Sequence, residues 1–344
     1  MSFDTELFTH YWHLVGHRQE VANPNDFVKF DTPLGELVVF NDEGTLVAFD
    51  NKCPHRGARI YSQDFGQQQY ACGYHGWSYR NGEVIIPNPA QFAACTAGKP
   101  ILNTYRLDWC GDFLFVGVTP LTSLEEQLGG LVQTLEDISF NISSREDFNR
   151  YAFECAWPIA IENALEPYHI PLIHAQTLAT LGLAEGKNVF DGCNSIWQAP
   201  VTNTRIAKQL VGLKRLFNID YQREEYLSIF LFPFSMISST FGYSYSLQNY
   251  FPGRDLSQTY FTSRLYAVPA ASDNAKKMVE PFLASSAKVN RQVFEEDHAV
   301  CKTVVPDAWT MAPLPFASTL ESKIVHFREQ CRAFVTLKSD RDVS

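Results

Sequence analysis

Two short stretches of the chain each pair a thiol with an imidazole: Cys53-Pro54-His55-Arg56-Gly57 and Cys72-Gly73-Tyr74-His75-Gly76-Trp77. The spacing is Cys-x-His, then 16 residues, then Cys-x-x-His. Two thiolates suit one iron of a [2Fe–2S] cluster and two imidazoles suit the other. Neutral imidazole donates less charge than thiolate, so such a cluster sits at a higher potential than an all-cysteine one. The chemistry expected is movement of single electrons.

Two other readings compete. A structural zinc site also takes two Cys and two His, but zinc fingers usually group the cysteines together and the histidines together. Here each stretch carries one of each. A Cys53–Cys72 disulfide beside incidental histidines is the third reading. Under the cluster reading, Gly57, Gly73 and Gly76 let the backbone approach the sulfur atoms and donate N–H bonds. Tyr74 is placed to donate a hydrogen bond near the cluster, and Trp77 reads as a packing residue under the loop.

A second constellation follows at Glu162-Asn163-Ala164-Leu165-Glu166-Pro167-Tyr168-His169-Ile170-Pro171-Leu172-Ile173-His174. Two histidines with nearby carboxylates suggest a mononuclear metal. Two histidines and one carboxylate on one face of a metal leave positions open, the pattern of non-haem Fe(II) oxygenases. His169 and His174 are five residues apart, roughly 140° around an ideal helix, so they do not share a face there. Pro171 breaks the local ladder, and a distorted helix would have to turn both rings to one point. Glu166 shares a helical face with His169. Alone, the pair reads as two satisfied helical histidines. Beside an electron donor it reads as the acceptor. The carboxylate ligand is expected from elsewhere, and Asp297 is the candidate. Phe294 and Val300 bracket it at three-residue spacing and point it toward the apolar side, with Glu296 as the alternative ligand. A solvated acidic helix face is the competing reading.

These residues must be held by ordered elements. Glu36–Phe40 and Thr45–Phe49 read as strands around an Asn41–Gly44 turn, and Phe113–Val118 as a later strand. Asn81-Gly82 is a second hairpin signal. Residues 35–120 thus read as one small all-β domain with both cysteine–histidine loops at its tip. Leu124 to Ile138 reads as helix, 226–250 as strand-rich, Gln258–Ala267 as strand and Ser272–Thr303 as helix. Phe241, Tyr243, Tyr245 and Leu247 alternate with smaller or polar residues, a period of two. Residues 121–344 read as an α+β domain on an antiparallel sheet, and residues 1–34 are expected to join it.

Composition narrows the partners. The 344 residues are 45% hydrophobic and 19% charged, as in globular proteins of about two domains. The net charge of −10 and the lack of a basic run argue against nucleic acid. No run of about 18 apolar residues suggests a membrane span. The N-terminus lacks a secretory pattern, so the chain is expected to be cytoplasmic. The 8 cysteines are then expected as reduced thiols, mostly buried, apart from the two in the loops. Aromatics make up 14%, which fits a thick core or an apolar pocket. Phe230, Phe232, Tyr243 and Tyr245 are pocket candidates, though core packing is the simpler role for each. Arg205 and Lys208 are the only basic residues that suggest themselves as a carboxylate site, and nothing ties them to the metal motif.

Taken together, Cys-Pro-His-Arg-Gly at 53–57, Cys-x-Tyr-His-Gly-Trp at 72–77, the Glu-Asn…Tyr-His…His series at 162–174 and Glu-Asp at 296–297 resemble the α subunits of the Rieske non-haem iron oxygenases. The resemblance implies a small all-β Rieske domain plus a catalytic domain with a curved antiparallel sheet covered by helices. It implies a [2Fe–2S] cluster on Cys53, His55, Cys72 and His75, and Fe(II) on His169, His174 and Asp297. It implies a homotrimer in which Glu166 links His169 to His75 of the next chain. Most relatives carry Asp at that place, while some acting on quaternary ammonium compounds such as carnitine or glycine betaine carry Glu. Asn163 and Tyr168 also match, as support for the ligands and, for Asn163, as a residue close to iron.

The implied activity is that of a terminal oxygenase. It uses dioxygen and NAD(P)H-derived electrons, delivered by a reductase alone or through a ferredoxin, to hydroxylate a small organic substrate. Where the hydroxylated carbon bears N or O, the outcome is demethylation or C–N cleavage. No Gly-x-Gly-x-x-Gly fingerprint leads a helix, so nicotinamide is expected on the partner. An aromatic-ring dihydroxylating dioxygenase is the alternative, and an electron carrier without oxygenase activity the third. The chain length resembles the single-subunit homotrimeric type.

Overall fold

The computed structural model of the chain describes residues 2–92, 98–183, 186–221, 223–255 and 257–342. They divide into two units, Met1–Leu124 and Glu125–Ser344. In the first, tight turns set the strand pairing. Glu43 and Gly44 hold φ of 53° and 100°, and Asn81 and Gly82 hold 51° and 80°. Two successive positive φ values give the turn whose twist matches its flanking strands. The strands are β1 (Trp12–His17), β2 (Asp26–Thr32), β3 (Gly35–Asp42), β4 (Thr45–Asp50), β5 (Phe65–Gln67), β6 (Ser78–Arg80), β7 (Glu83–Ile85), β8 (Thr104–Cys110) and β9 (Phe113–Gly117), preceded by helix α1 (Phe3–His10). Seven of them form one sheet in the order β1-β9-β8-β4-β3-β2-β5, and β6 and β7 form a separate hairpin.

Residues 1–34 therefore belong to this first unit and not, as expected, to the second. Trp12 lies opposite Gly117 in the β1–β9 pair, and Phe27 lies opposite Phe40 in the β2–β3 pair. The unit ends at Leu124 instead of spanning 35–120. The partner of β1 lies far along the chain, so no local pattern reveals the pairing.

The second unit is an antiparallel meander. Its strands are β10 (Ser144–Phe153), β11 (Lys187–Asp191), β12 (Asn194–Pro200), β13 (Glu225–Leu231), β14 (Ser235–Thr240), β15 (Ser244–Pro252) and β16 (Thr259–Ala267), ordered β10-β16-β15-β14-β13-β12-β11 in one curved sheet. The helices are α2 (Leu124–Leu128), which begins at the unit boundary, α3 (Val132–Phe140), α4 (Trp157–Leu165), α5 (Ile170–Ile173), α6 (Thr204–Leu213), α7 (Asp273–Cys301) and α8 (Ser322–Asp342). The helix expected over 124–138 is interrupted at Gly129, whose φ of 56° leaves the helical region. Ser272 caps α7 by accepting from the Ala275 N–H at 3.2 Å. The alternation at 241–247 is not a single strand: Phe241 and Gly242 hold φ of 61° and 70°, and β15 begins only at Ser244.

Packing fixes the functional segments. In the first unit Phe27, Phe40, Phe49, Tyr61 and Tyr70 form one buried cluster with Cys53, Cys72 and Trp77. Each fully buried apolar side chain contributes about 1.5–3 kcal/mol, so the two thiols are anchored in the unit's own core. In the second unit Arg328 on α8 grips Glu162 on α4, with Nε donating to Oε1 at 2.6 Å and Nη2 to Oε2 at 2.8 Å. Trp309 Nε1 donates to the same Oε1 at 2.7 Å, and Arg328 Nη1 donates to the Ala312 carbonyl at 2.9 Å. Both charges are largely buried, at 8% and 13% side-chain exposure.

Candidate active site

The two cysteine–histidine loops have the same backbone design. Gly57 N–H donates to the Cys53 carbonyl at 2.8 Å, and Gly76 N–H to the Cys72 carbonyl at 2.9 Å. Cys53 N–H donates to the Ala58 carbonyl at 2.8 Å, and Cys72 N–H to the Trp77 carbonyl at 2.7 Å. Gly57 and Gly76 both hold φ of 72°, a region that disfavours a Cβ. At Gly57 nothing stands within 4 Å of where a Cβ would be, so conformation and not close approach requires glycine there.

The loops bring their four predicted donors together. The rings of His55 and His75 lie 4.7 Å apart, and no disulfide joins Cys53 and Cys72. Burial pushes the Cys53 thiol up, against N–H groups of His55 and Arg56 that favour the thiolate. At Cys72 burial acts the same way, but the N–H groups of Tyr74 and His75 outweigh it and hold the thiol below its usual value. Both sulfurs thus face N–H donors two and three residues on, as a bound thiolate requires. His55 Nδ1 is buried without a hydrogen-bond partner. A buried polar atom with no partner, beside two thiols and a second imidazole, fits a [2Fe–2S] cluster. His55 stacks on Trp77 at 4.6 Å and 4°, the packing role expected of that tryptophan. Tyr74 stacks on His75 at 3.9 Å, under the Arg56 guanidinium.

The second constellation is shaped by its prolines. The residue before a proline is pushed out of the helical region, and Glu166, before Pro167, ends α4 in an extended conformation. The chain then makes one short turn, α5, with His169 just before it and His174 just after it. This single turn resolves the spacing problem of an ideal helix, and the two Nε2 atoms lie 3.1 Å apart. Asp297 on α7 completes the group, with Oδ1 at 3.0 Å from His174 Nε2 and 3.6 Å from His169 Nε2. One ligand atom from each of the three lies within 4.8 Å of the others.

Carboxylates fix both rings. His169 Nδ1 donates to Glu166 Oε1 at 2.6 Å, and His174 Nδ1 donates to Glu296 Oε2 at 2.7 Å. A carboxylate only accepts, so each Nδ1 carries the hydrogen and each Nε2 turns a lone pair toward the other. Two lone pairs at that distance repel unless a positive charge lies between them. The pKa of His174 carries the same message: burial opposes its charge, but Asp297 and Glu296 outweigh burial and raise it. The donor set and its electrostatics fit a divalent cation.

Support extends outward. Asn163 Nδ2 donates to Asp297 Oδ1 at 2.8 Å. Glu166 Oε2 accepts from the Tyr168 N–H, and also from the His169 N–H at 3.1 Å. The Tyr168 ring is 62% exposed, so that residue holds Glu166 through its backbone. Glu296, the alternative ligand in the sequence, instead orients His174, and is itself held by Thr177 Oγ1 at 2.8 Å and Gln292 Nε2 at 2.9 Å. Thr177 and Gln292 were not singled out in the sequence. Gln292 lies four residues before Glu296 on α7, a spacing that signals the contact.

A cavity of about 310 Å³ opens from His169, His174 and Asp297 across the sheet. Trp197, Ser228, Ser238 and Ser246 lie directly opposite one another on successive strands and line its floor. Gln248 Nε2 donates to Ser238 Oγ at 3.0 Å and to Ser246 Oγ at 3.1 Å. Phe230, Phe232, Tyr243 and Tyr245 are buried core residues outside the lining, and Arg205 and Lys208 are exposed.

Comparison with known proteins agrees with this geometry. Residues 11–105 match the Rieske [2Fe-2S] domain, and residues 141–336 match the ring hydroxylating alpha subunit (catalytic domain). The chain is 26% identical over 197 residues to the 2-halobenzoate 1,2-dioxygenase large subunit of Burkholderia cepacia, covering 52% of this chain and 42% of that protein. It is 30% identical over 176 residues to the carnitine monooxygenase oxygenase subunit of Escherichia coli, covering 49% and 47%. The matched stretch thus spans less than half the length of these relatives. A solved structure of a quaternary ammonium Rieske monooxygenase, described in terms of carnitine oxidation and inter-subunit electron transfer, superposes with a TM-score of 0.73. It is 16% identical, with 96% of this chain and 91% of that one covered, a likeness of fold.

Proposed function

The chain belongs to the ring hydroxylating alpha subunit family, and from that premise we propose that it is the terminal oxygenase of a multicomponent system that hydroxylates a small organic substrate. A reductase, alone or through a ferredoxin, would supply electrons drawn from NAD(P)H. The observation that carries this reading is the convergence of His169 Nε2, His174 Nε2 and Asp297 Oδ1, with both Nδ1 atoms tied to carboxylates. Cys53, His55, Cys72 and His75 would hold the [2Fe–2S] cluster, and His169, His174 and Asp297 the Fe(II). When bound, the cluster supplies single electrons and the mononuclear iron supplies dioxygen activation. Where the hydroxylated carbon bears N or O, collapse of the product gives demethylation.

The protein's own part is to hold protons and orientations. Glu166 and Glu296 keep the hydrogens on Nδ1, so that both Nε2 atoms remain donors to the metal. Asn163 occupies one lone pair of Asp297 Oδ1 and sets the plane of that carboxylate. The cavity floor positions the substrate.

Assembly in rings of three is part of the proposal. A carboxylate has about four acceptor sites, and within the chain Glu166 uses three, for the His169 ring and the N–H groups of Tyr168 and His169. One remains for His75 of a neighbouring chain. The exposed rings of Tyr74 and Tyr168, at 59% and 62%, and Leu172 at 84% offer apolar surface for that contact. Glu166→Gln is expected to slow turnover roughly 10–100-fold, the usual cost of losing such a supporting group, with an unchanged unfolding midpoint. Single-turnover rates equal to those of the unaltered protein would remove the bridge.

No described helix is long and apolar enough to cross a membrane. None of the seven described cysteines is in a disulfide, and all are buried except the half-buried Cys193, while Cys95 lies outside the described residues. Thiols outside disulfides support a reducing, cytoplasmic setting. Iron analysis with product analysis under labelled dioxygen tests the whole reading. About three irons per chain and one labelled atom per product are expected. Two labelled atoms would favour the ring-dihydroxylating alternative, which the 2-halobenzoate relative supports. Two irons and no product would leave only an electron carrier.

A further inference from the structure

Lys323 lies on the first turn of α8 and lines the cavity that also reaches His174 and Asp297. It is 1% exposed, and its Nζ has no hydrogen-bond partner. An ammonium removed from water without a partner is costly, and buried cations are ordinarily paired. Lys323 is the one lysine or arginine among the described lining residues. The lining carboxylates, Glu166 and Asp297, are already engaged with His169 and His174. Ser238 and Ser246 of the floor are likewise engaged with Gln248.

Further unmet polar atoms lie on the strands that α8 reaches through Ser322. Asn188 Oδ1 and Ser195 Oγ, on β11 and β12, are also buried without partners. Asn188 Nδ2 donates at 2.7 Å to Ser322 Oγ, the residue next to Lys323. His326, one turn further along α8, meets the ring of Phe190 at 4.7 Å, and Phe190 lies opposite Ser195 in the sheet. Its Nε2 is taken by the Gly192 carbonyl at 3.0 Å. The buried, unpartnered ammonium of Lys323 at the cavity wall is equipment for an anion. Burial alone lowers the pKa of Lys323 to about 7, and an anionic partner would restore its charge.

We propose that Lys323 anchors a carboxylate of the substrate, so that this cavity selects small carboxylic acids and turns their far end toward His169, His174 and Asp297. The inference deepens the oxygenase reading and rests on it for the identity of that far end. A cavity of about 310 Å³ suits a molecule of one ring or a short chain.

The test is calorimetric titration of the iron-loaded protein with acetate, butyrate, phenylacetate and benzoate, each against its amide. At least one acid should bind tenfold or more tightly than its amide. Lys323→Met should abolish that preference while the amide's affinity stays within about twofold, and Lys323→Arg should retain most of it. A structural role for the lysine would lower both affinities together. The inference is overturned if no acid in the set outbinds its amide, or if the methionine variant keeps the preference. Binding is read without turnover, so an acid preference in a protein that takes up no mononuclear iron and forms no product would sink the oxygenase reading alone. Lost selectivity with intact product formation would sink this one alone.

Discussion

His169→Ala is expected to abolish turnover while leaving the cluster's spectrum in place. The substitution removes one of three donor atoms converging within 4.8 Å, and two donors hold a divalent ion far more weakly than three. It also strands Glu166, which loses the ring it holds at 2.6 Å. The loss should exceed the roughly 10–100-fold that follows removal of a supporting group. Total iron should fall from about three per chain to about two. The cluster loops lie in the other unit and have their own backbone closure, so the paramagnetic signal of the reduced cluster should persist. Metal analysis and that signal, taken on one sample, check the outcome. Unchanged iron and turnover would remove His169 from the metal site.

Arg328→Met should cost about 3–5 kcal/mol of stability in the second unit. That is the usual loss when one partner of a buried ion pair is removed and the other charge is stranded. Here the stranded group is Glu162, 13% exposed, which would keep only the Trp309 indole. Replacing both partners, Glu162→Leu with Arg328→Met, should recover most of the loss, since an apolar pair of similar volume is often neutral. Urea unfolding midpoints at a constant slope measure both variants. A single-variant loss below about 1 kcal/mol would show the pair to be screened like a surface bridge. The effect reaches the site because Glu162 precedes Asn163, and Asn163 holds Asp297.

The parts legible in the sequence are those built from local spacing. Cys53 with His55 and Cys72 with His75 lie within single turns, so their grouping was readable once the residue types were seen. Asp297 was readable from the apolar residues around it on one helix, and it is buried as they indicated. Meeting of the His169 and His174 rings was not, because an ideal helix separates them. Pro167 and Pro171 make a broken turn whose geometry no periodicity expresses. Glu296 stands in the sequence as the alternative to Asp297, yet neighbouring residues on a helix point about 100° apart. That rotation sends its carboxylate to the outer nitrogen of His174. Lys323 was invisible because nothing near it in the chain resembles a site, and only the fold of α8 over the sheet brings it to the cavity. The same limit explains residues 1–34, whose strand partners lie elsewhere in the chain.

The serine row across the sheet floor has a wider consequence. Ser228, Ser238 and Ser246 shape the chamber, whereas the metal-facing groups all come from α7 and the α4–α5 corner. The contour of the chamber and the reactivity within it are therefore inherited on separate pieces of chain. Enlarging or shrinking a floor residue would retune which molecules enter without disturbing what happens to them. Such a division lets one reactive apparatus be refitted to new compounds by small steps.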